Sequence, residues 1–591
     1  MFKPALAAVL VASCFPAIAE NIEHISIYAN RTATPQQDVL ASVTVLERDD
    51  IVARQANDLS ALLAQLPGIN LARNGGRGQL SSIFVRGGET KHTLVLIDGV
   101  RSGSATAGAK SLAMLPLELI ERIEVIRGPR AAWYGSDALA GVIAITTRRA
   151  GAVELNANVG SDGQAGTDIS LSHTVDQLTV RATAGASRAD GYNVQPAQDP
   201  DRDGYNQKFI KVAADYQTGL GLWTTQVDVN SGYYEFDTSW GTEDQADTLN
   251  RTYLLGWGHQ IGAWQHQAQL SRQLDRDVSF GPVSSSPFNT ERDEFNYQTT
   301  TDLTDNLGVL LGVNWYQEEV AKAAPNFERD SRTNRAVFTG VSYQLSQLKL
   351  EAAARQDNAT QYGSNNTWQL AAGYQFNEHW ALRASRGSAF KAPTFNDLYF
   401  PGSNNPDLLP EHAVADELAL DFTTADTQVS LAWFNRDVTN LIQWVIDKPE
   451  NIAKAGIEGI EFSVAYQWQQ WSQSFAYTWL DARDKSSDTR LLLRPENSIN
   501  WRGSFSADDW SAFITADYQS RTRQPFDWAT GSNFPDASAH TLWGVGASYT
   551  VSPVLVLRAK VDNLFDKDYY TNHGFAAKGT NFGISVSYTP Q

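Results

Sequence analysis

Ile460-Glu461-Phe462-Ser463-Val464-Ala465-Tyr466-Gln467-Trp468 alternates apolar residues with polar or small ones without a break. Successive side chains of a strand point to opposite faces, so this stretch is a strand with one apolar side. The same period returns at Val429, Leu431 and Trp433, at Leu555, Leu557, Ala559 and Val561, and at Phe582, Ile584, Val586 and Tyr588. From about residue 150 onward the chain therefore reads as all-β. A soluble sandwich would turn these apolar sides inward. A membrane barrel turns them to lipid and sets Trp and Tyr at the strand ends.

Composition decides between the two. The chain of 591 residues carries 17 Trp and 21 Tyr against only 2 Met. Beyond the N-terminus no run of 18 apolar residues occurs, which excludes spanning helices. The net charge of -19 argues against a nucleic-acid partner, whose binding needs a basic face. Met1-Phe2-Lys3, an apolar run over 5–11 and Ala17-Ile18-Ala19 form a signal peptide, 1–19, cleaved after Ala19. The single cysteine, Cys14, lies inside it, so the exported chain has no thiol and no disulfide. Export, the lack of cysteine and the terminal aromatics favour the barrel.

Residues 36–149 read differently. Leu59, Leu62, Leu63 and Leu66 recur at helical spacing after Asp58, and Pro67-Gly68 stops the run. Thr93-Leu94-Val95-Leu96-Ile97 is a continuous apolar strand pattern turned by Asp98-Gly99. This is a small mixed α/β domain. Ahead of it, residues 20–35 are polar apart from one strand-like patch, Glu23-His24-Ile25-Ser26-Ile27-Tyr28-Ala29. Inside the domain, Asn74-Gly75-Gly76-Arg77-Gly78-Gln79-Leu80 leads into Ser81-Ser82-Ile83-Phe84-Val85-Arg86-Gly87, a glycine-rich loop feeding a strand. Another strand, Ile120-Glu121-Arg122-Ile123-Glu124-Val125-Ile126, closes with Arg127-Gly128-Pro129.

Together with Tyr134-Gly135-Ser136-Asp137-Ala138-Leu139-Ala140-Gly141-Val142-Ile143, these segments resemble the plug domain of the TonB-dependent outer-membrane transporters. Ser388-Ala389-Phe390-Lys391-Ala392-Pro393, Asn405-Pro406-Asp407-Leu408-Leu409-Pro410-Glu411 and Asp562-Asn563-Leu564-Phe565-Asp566-Lys567-Asp568-Tyr569 are similar to further stretches of that family. The resemblance implies an all-β transmembrane barrel of about 22 antiparallel strands with the mixed α/β plug in its lumen. It divides the chain into signal peptide 1–19, Ton box and linker 20–35, plug 36–149 and barrel 150–591. Shared among that many strands, the last segment gives about 20 residues per strand with its connection, where roughly 9–11 cross a bilayer.

The resemblance also places sites. Glu23, His24, Ile25, Ser26, Ile27, Tyr28 and Ala29 stand where the family carries its Ton box, an extended strand that adds to the sheet edge of a periplasmic TonB-type energy transducer. Within the family the glycine-rich segment is most similar to the cobalamin (vitamin B12) branch. That branch implies cargo contact by Gln79, Leu80, Ser81 and Ser82 on one outward plug loop and by 101–110 on the next. Arg86, Arg127, Glu121 and Glu124 are expected to hold the plug in a polar lumen through ion pairs. Asp199-Pro200-Asp201-Arg202-Asp203-Gly204 imitates the start of an EF-hand loop, but position twelve is Ile210 and the closing Glu is missing. Calcium takes six to eight oxygens, so several loops would have to contribute. By resemblance the calcium ligands are Asn193, Asp199, Asp201, Asp203, Asp237 and Asp247, ordering outward loops for the cargo; Asn193 replaces an expected aspartate.

The expected function is TonB-dependent import of cobalamin by a monomer set in outer-membrane lipid of a Gram-negative cell. The same machine with a ferric siderophore or haem as cargo is the alternative, and a passive pore or adhesin is the reading from another class. No Gly-x-Ser-x-Gly, His-Glu-x-x-His or phosphate-binding loop is present, and the 9 histidines form no ligand spacing, so no enzyme is expected.

Overall fold

A computed structural model describes residues 26–27, 31–32, 34–109, 112–149, 151, 153–196, 200–237, 243–445, 448–527 and 532–590. Residues 1–19, expected to be a signal peptide, lie outside them, as do Glu23, His24, Ile25, Tyr28 and Ala29 of the expected Ton box. The chain divides into two compact units, Met1–Val39 and Leu40–Gln591. In the first, Ser26–Ile27 pairs antiparallel with Thr34–Pro35.

In the second unit, 22 antiparallel strands among the described residues close into a barrel. The first, Glu154–Gly160, pairs with the last, Asn581–Tyr588, in the register Leu155↔Tyr588 through Gly160↔Gly583. Closure leaves no edge, which a bilayer requires because lipid cannot satisfy a free backbone. The alternating stretch 460–468 lies in strand Lys448–Trp468, with Ile460, Tyr466 and Trp468 exposed and Glu461 buried in the lumen.

The two rims differ. At one, ten connections of two to four residues join the strands, such as Asp176-Gln177 and Gln469-Gln470. At the other, the connections include 193–202, 392–410, 520–539 and 563–580. Aromatics ring the short-turn rim: Trp380 on Phe422 at 4.8 Å, Trp471 on Phe505 at 4.9 Å, and Phe505 on Trp510 at 5.1 Å. Toward the other rim the exposed apolar band ends in Trp368 and Trp433. Two aromatic girdles around an apolar band, with short turns on one side and long loops on the other, are the marks of an outer-membrane barrel. Strands of up to 21 residues exceed what a bilayer needs, and the surplus carries the wall past the band at the long-loop rim.

The lumen is filled. A five-stranded sheet orders Val43–Leu46, Ile120–Arg127, Gly141–Thr147, Thr93–Ile97 and Val100–Ser102, with only Thr93–Ile97 and Gly141–Thr147 parallel. A hairpin, Ile69–Arg73 with Ser81–Val85, stands beside it. Helix Leu59–Leu63 forms where the leucine spacing predicts one. Asp58 caps it by accepting from the Ala61 N–H, and Leu59, Leu62 and Leu63 are fully buried. A second helix, Arg48–Arg54, has no such apolar spacing and escapes sequence reading. Leu62, Leu66, Ile83, Val85, Ile120, Ile123, Val125, Ile143 and Ile145 share one aliphatic core made of plug residues alone.

Candidate functional site

The plug meets the barrel through ions. Arg86 follows strand Ser81–Val85 with a left-handed backbone, φ 46°. Its guanidinium, 2 % exposed, donates Nε to Glu461 Oε1 at 2.9 Å, Nη2 to Glu461 Oε2 at 2.8 Å and Nη1 to Glu417 Oε2 at 2.5 Å. Burial alone would lower its pKa; Glu461 and then Glu417 more than reverse this and hold the cation above its ordinary value. Arg127 Nε lies 3.4 Å from Glu461 Oε2, while Arg383 of the wall reaches Glu417 Oε1 at 3.3 Å. Ser42 donates to Glu417 Oε1 at 2.9 Å, tying the chain just before the N-terminal plug strand to the same carboxylate. Gly68 is needed here. With φ +71° it lies so close that an added Cβ would stand 2.0 Å from Glu461 Oε1.

Arg86 and Arg127 thus act as the sequence predicts. Glu124 turns instead to its own strand: on the inner plug strand Ile120–Arg127 it pairs with Arg122 at 3.3 Å, an ion pair within the plug. The barrel partners Glu417 and Glu461 are not among the residues the sequence singles out. The available signal was a carboxylate on the polar side of an otherwise apolar-alternating strand.

The apex loop 74–80 rises to the long-loop rim. Arg77 fixes it to the wall through Gln207 at 2.7 Å and the face of Tyr205 at 5.1 Å. Loop 563–580 holds its base, with the Arg73 N–H on Thr571 at 2.9 Å and Asn572 on Asn74 at 2.8 Å. Of the expected cargo residues, only Leu80 projects, 63 % exposed. Gln79 is buried, and among the described residues neither end of its amide has a hydrogen-bond partner. Ser81 and Ser82 belong to the hairpin, opposite Arg73 and Ala72. In the second expected segment, Ala105 and Thr106 are covered by the barrel loop 392–410 and only Ala107 is exposed; Lys110 lies outside the described residues.

Asp201, Asp203 and Asp237 converge, with one carboxylate oxygen of each within 4.8 Å of the others. Burial pushes the Asp203 carboxyl up, and Asp237, Asp201 and Glu235 add to this against a hydrogen bond from the Val194 N–H, to about 7. Asn193 adjoins that Val194. Asp199 lies outside the described residues. Asp247 does not join the three: it stands opposite Tyr233 in the register, and alternation turns it away from the fully buried Ala246. Three carboxylates offering only oxygen suit a hard cation and no soft one.

The family model "TonB dependent receptor-like, beta-barrel" matches residues 152–564, and "TonB-dependent Receptor Plug Domain" matches 35–142. The chain is 33% identical over 620 aligned residues to the vitamin B12 transporter BtuB of Photobacterium profundum, covering 100% of both. It is 30% identical to the vitamin B12 transporter BtuB of Vibrio vulnificus, covering 95% of this chain and 94% of that one. Among solved structures, the siderophore receptor PirA from Acinetobacter baumannii superposes with a TM-score of 0.81 at 20% identity, covering 92% of this chain and 98% of that one. The FrpB iron transporter from Neisseria meningitidis gives 0.81 at 14% identity, covering 93% and 99%. At such identities the structural likeness is one of fold.

Proposed function

This chain belongs to the TonB-dependent receptor family, and from that premise we propose that its cargo is cobalamin. As a member it is an outer-membrane transporter of a Gram-negative cell, energised by TonB, and its relatives are transporters and receptors, not enzymes. The long-loop rim then faces the medium and the short-turn rim the periplasm.

The observation that carries the cargo reading is the chemistry of the mouth. The plug presents an apolar tip, Leu80, and the nearby loops gather Asp201, Asp203 and Asp237. With or without a calcium ion among them, these carboxylates present no net positive charge to a polyanionic ferric chelate. A bulky ligand with an apolar ring face and a rim of amides needs none. Full-length likeness to vitamin B12 transporters supports the same cargo. Asp201, Asp203 and Asp237 would hold a calcium ion, with Asp199 and Asn193 near enough in sequence to add oxygens. When bound, calcium supplies the positive charge that lets these carboxylates stay ionised and close. Val194 passes that order inward: its N–H binds Asp203, its carbonyl accepts from the Ala576 N–H, and its side chain packs over Gly75 of the apex loop. Segment 23–29 would serve as the strand that TonB takes up.

Binding of cyanocobalamin to the purified protein, measured with calcium and with chelator, tests the reading. The expected result is saturable binding that weakens at least tenfold in chelator. Saturable binding of a ferric siderophore or haem with none of cyanocobalamin would overturn it.

A further inference from the structure

The two motifs Ser388–Pro393 and Asn405–Glu411, which select no cargo, bound one continuous loop of the barrel, whose ends Lys391 and Glu411 are register partners and whose middle folds inward onto the plug. It leaves the wall at the end of strand Trp380–Lys391 and rejoins it at the start of strand Glu411–Thr423. Along the way it takes hold of three separate plug segments. Lys391 Nζ meets Asp137 at 2.8 Å, and the Ala392 N–H donates to Ser136 Oγ at 3.1 Å. The N–H groups of Phe395 and Asn396 donate to the carbonyls of Ala105 and Thr106 at 3.2 and 3.1 Å. Glu411, fully buried, receives Lys91 at 3.1 Å and His92 Nε2 at 2.7 Å. The Glu89 N–H donates to His92 Nδ1, so Nε2 carries the proton toward Glu411.

This inward loop is stiff. Thr394 and Asp397 form a reciprocal cap on helix Phe395–Tyr399. Phe395 and Leu398 pack with Ala105, Val320, Ala323 and Ile442 in a sealed apolar cluster, and Arg332 of the wall donates to the Pro393 carbonyl at 2.7 Å. Its grip falls on one side of the plug sheet. Thr93–Ile97 and Val100–Ser102 follow or flank the gripped segments, and Val100–Ser102 is one edge of that sheet. The other edge is Val43–Leu46, the strand nearest the N-terminus, which is tied to the wall through Ser42 and Glu417. A pull from the N-terminal side loads that edge first.

We propose that 391–411 is a fixed strap: it keeps its hold on 89–92, 104–108 and 134–137 through the transport cycle, so that remodelling is confined to the N-terminal edge and the Arg86 lock. Lys391 and Glu411 are its positioning residues. The proposal rests on TonB-dependent transport and not on the cargo.

Two arms test it in energised cells of a strain supplying TonB. Ser136→Cys with Ala392→Cys, and separately Asp137→Cys with Lys391→Cys, join strap to plug in a chain otherwise free of cysteine after residue 14. With the crosslink verified by mass, uptake of cyanocobalamin should stay within twofold of the same protein reduced. A tenfold loss on oxidation, restored by reductant, would overturn the proposal. In the second arm, Lys391→Met with Glu411→Gln loosens the strap. Surface binding should persist, and sensitivity to a bulky hydrophilic antibiotic should rise about tenfold during transport. Unchanged sensitivity would overturn the proposal. If the parent chain takes up no cyanocobalamin, the cargo reading fails instead, and both arms are run on the cargo it does take up, with the same outcomes.

Discussion

Arg86 and Glu461 form a two-pronged ion pair at 2.9 and 2.8 Å across 375 residues of chain, inside the lumen and away from water. The pair joins the strand after the apex loop to the centre of the barrel wall. Its geometry decides how the plug can be released. A buried pair contributes little net stability when intact, but removing one partner strands the other charge.

Glu461→Gln should therefore destabilise plug docking by about 3 kcal/mol. Hydrogen exchange at residues 83–88 is the measurement, and the barrel's own strands should be unaffected. Arg86→Met combined with Glu461→Gln removes one charge of each sign and leaves Glu417 to Arg383, so it should recover part of that protection. Equal losses in the single and double variants would show that the charges are not coupled.

Deleting residues 23–29 should abolish uptake and leave surface binding of cargo intact. Normal uptake by that variant would remove the Ton-box assignment.

Leu80→Asp should weaken cyanocobalamin binding by about ten- to hundredfold, the cost of losing roughly 1.5–3 kcal/mol of apolar contact. Because Leu80 is exposed, the melting temperature should not move. Calorimetry on the folded protein reads both.

The carboxylate cluster predicts a pH dependence with a definite sign. The Asp203 carboxyl is raised in the cation-free fold from 3.8 to about 7, so the folded state holds a proton that the unfolded one gives up. Loop stability in chelator should be greatest below about pH 4 and fall as pH rises through 7. Calcium should remove the fall, and its affinity should rise over the same range because it competes with that proton. Limited proteolysis of loop 193–202 at pH 5.5 and 8 reads this. Asp203→Asn should abolish the pH effect and lower calcium affinity at least tenfold.

A filled lumen should pass almost no ions. Single-channel recordings should show negligible conductance for the whole chain and a large steady one after removal of residues 40–149. A large conductance of the intact protein would favour the passive pore.

Sequence made the barrel legible because lipid enforces a strict period of two, as at 460–468. It made helix Leu59–Leu63 legible because leucine spacing and its Asp58 cap agree. Ion-pair partners were not legible: Glu461 stood in plain view within the alternating stretch, but its distance from Arg86 along the chain hides the pairing. Exposure was legible only in part. The resemblance puts all four residues 79–82 on an outward loop, yet the hairpin register consumes two, Gln79 folds under Gly75, and Leu80 alone is left outward. The convergence of Asp201, Asp203 and Asp237 comes from the neighbouring strand Gly221–Glu235, whose register Tyr205↔Tyr234 carries Asp237 back beside Asp203, and spacing along the chain does not encode that register.

The plug's aliphatic core is its own, from Leu46 to Ile145, while the surface it turns to the lumen wall is rich in ions and amides. Such a surface has little to lose on wetting. Where an oily joint would be penalised for every area it exposes, this one trades carboxylate for water at each step. On the Arg86 side the barrel holds its stopper as a bearing holds a shaft: tight at rest, and hydrated once that edge begins to move.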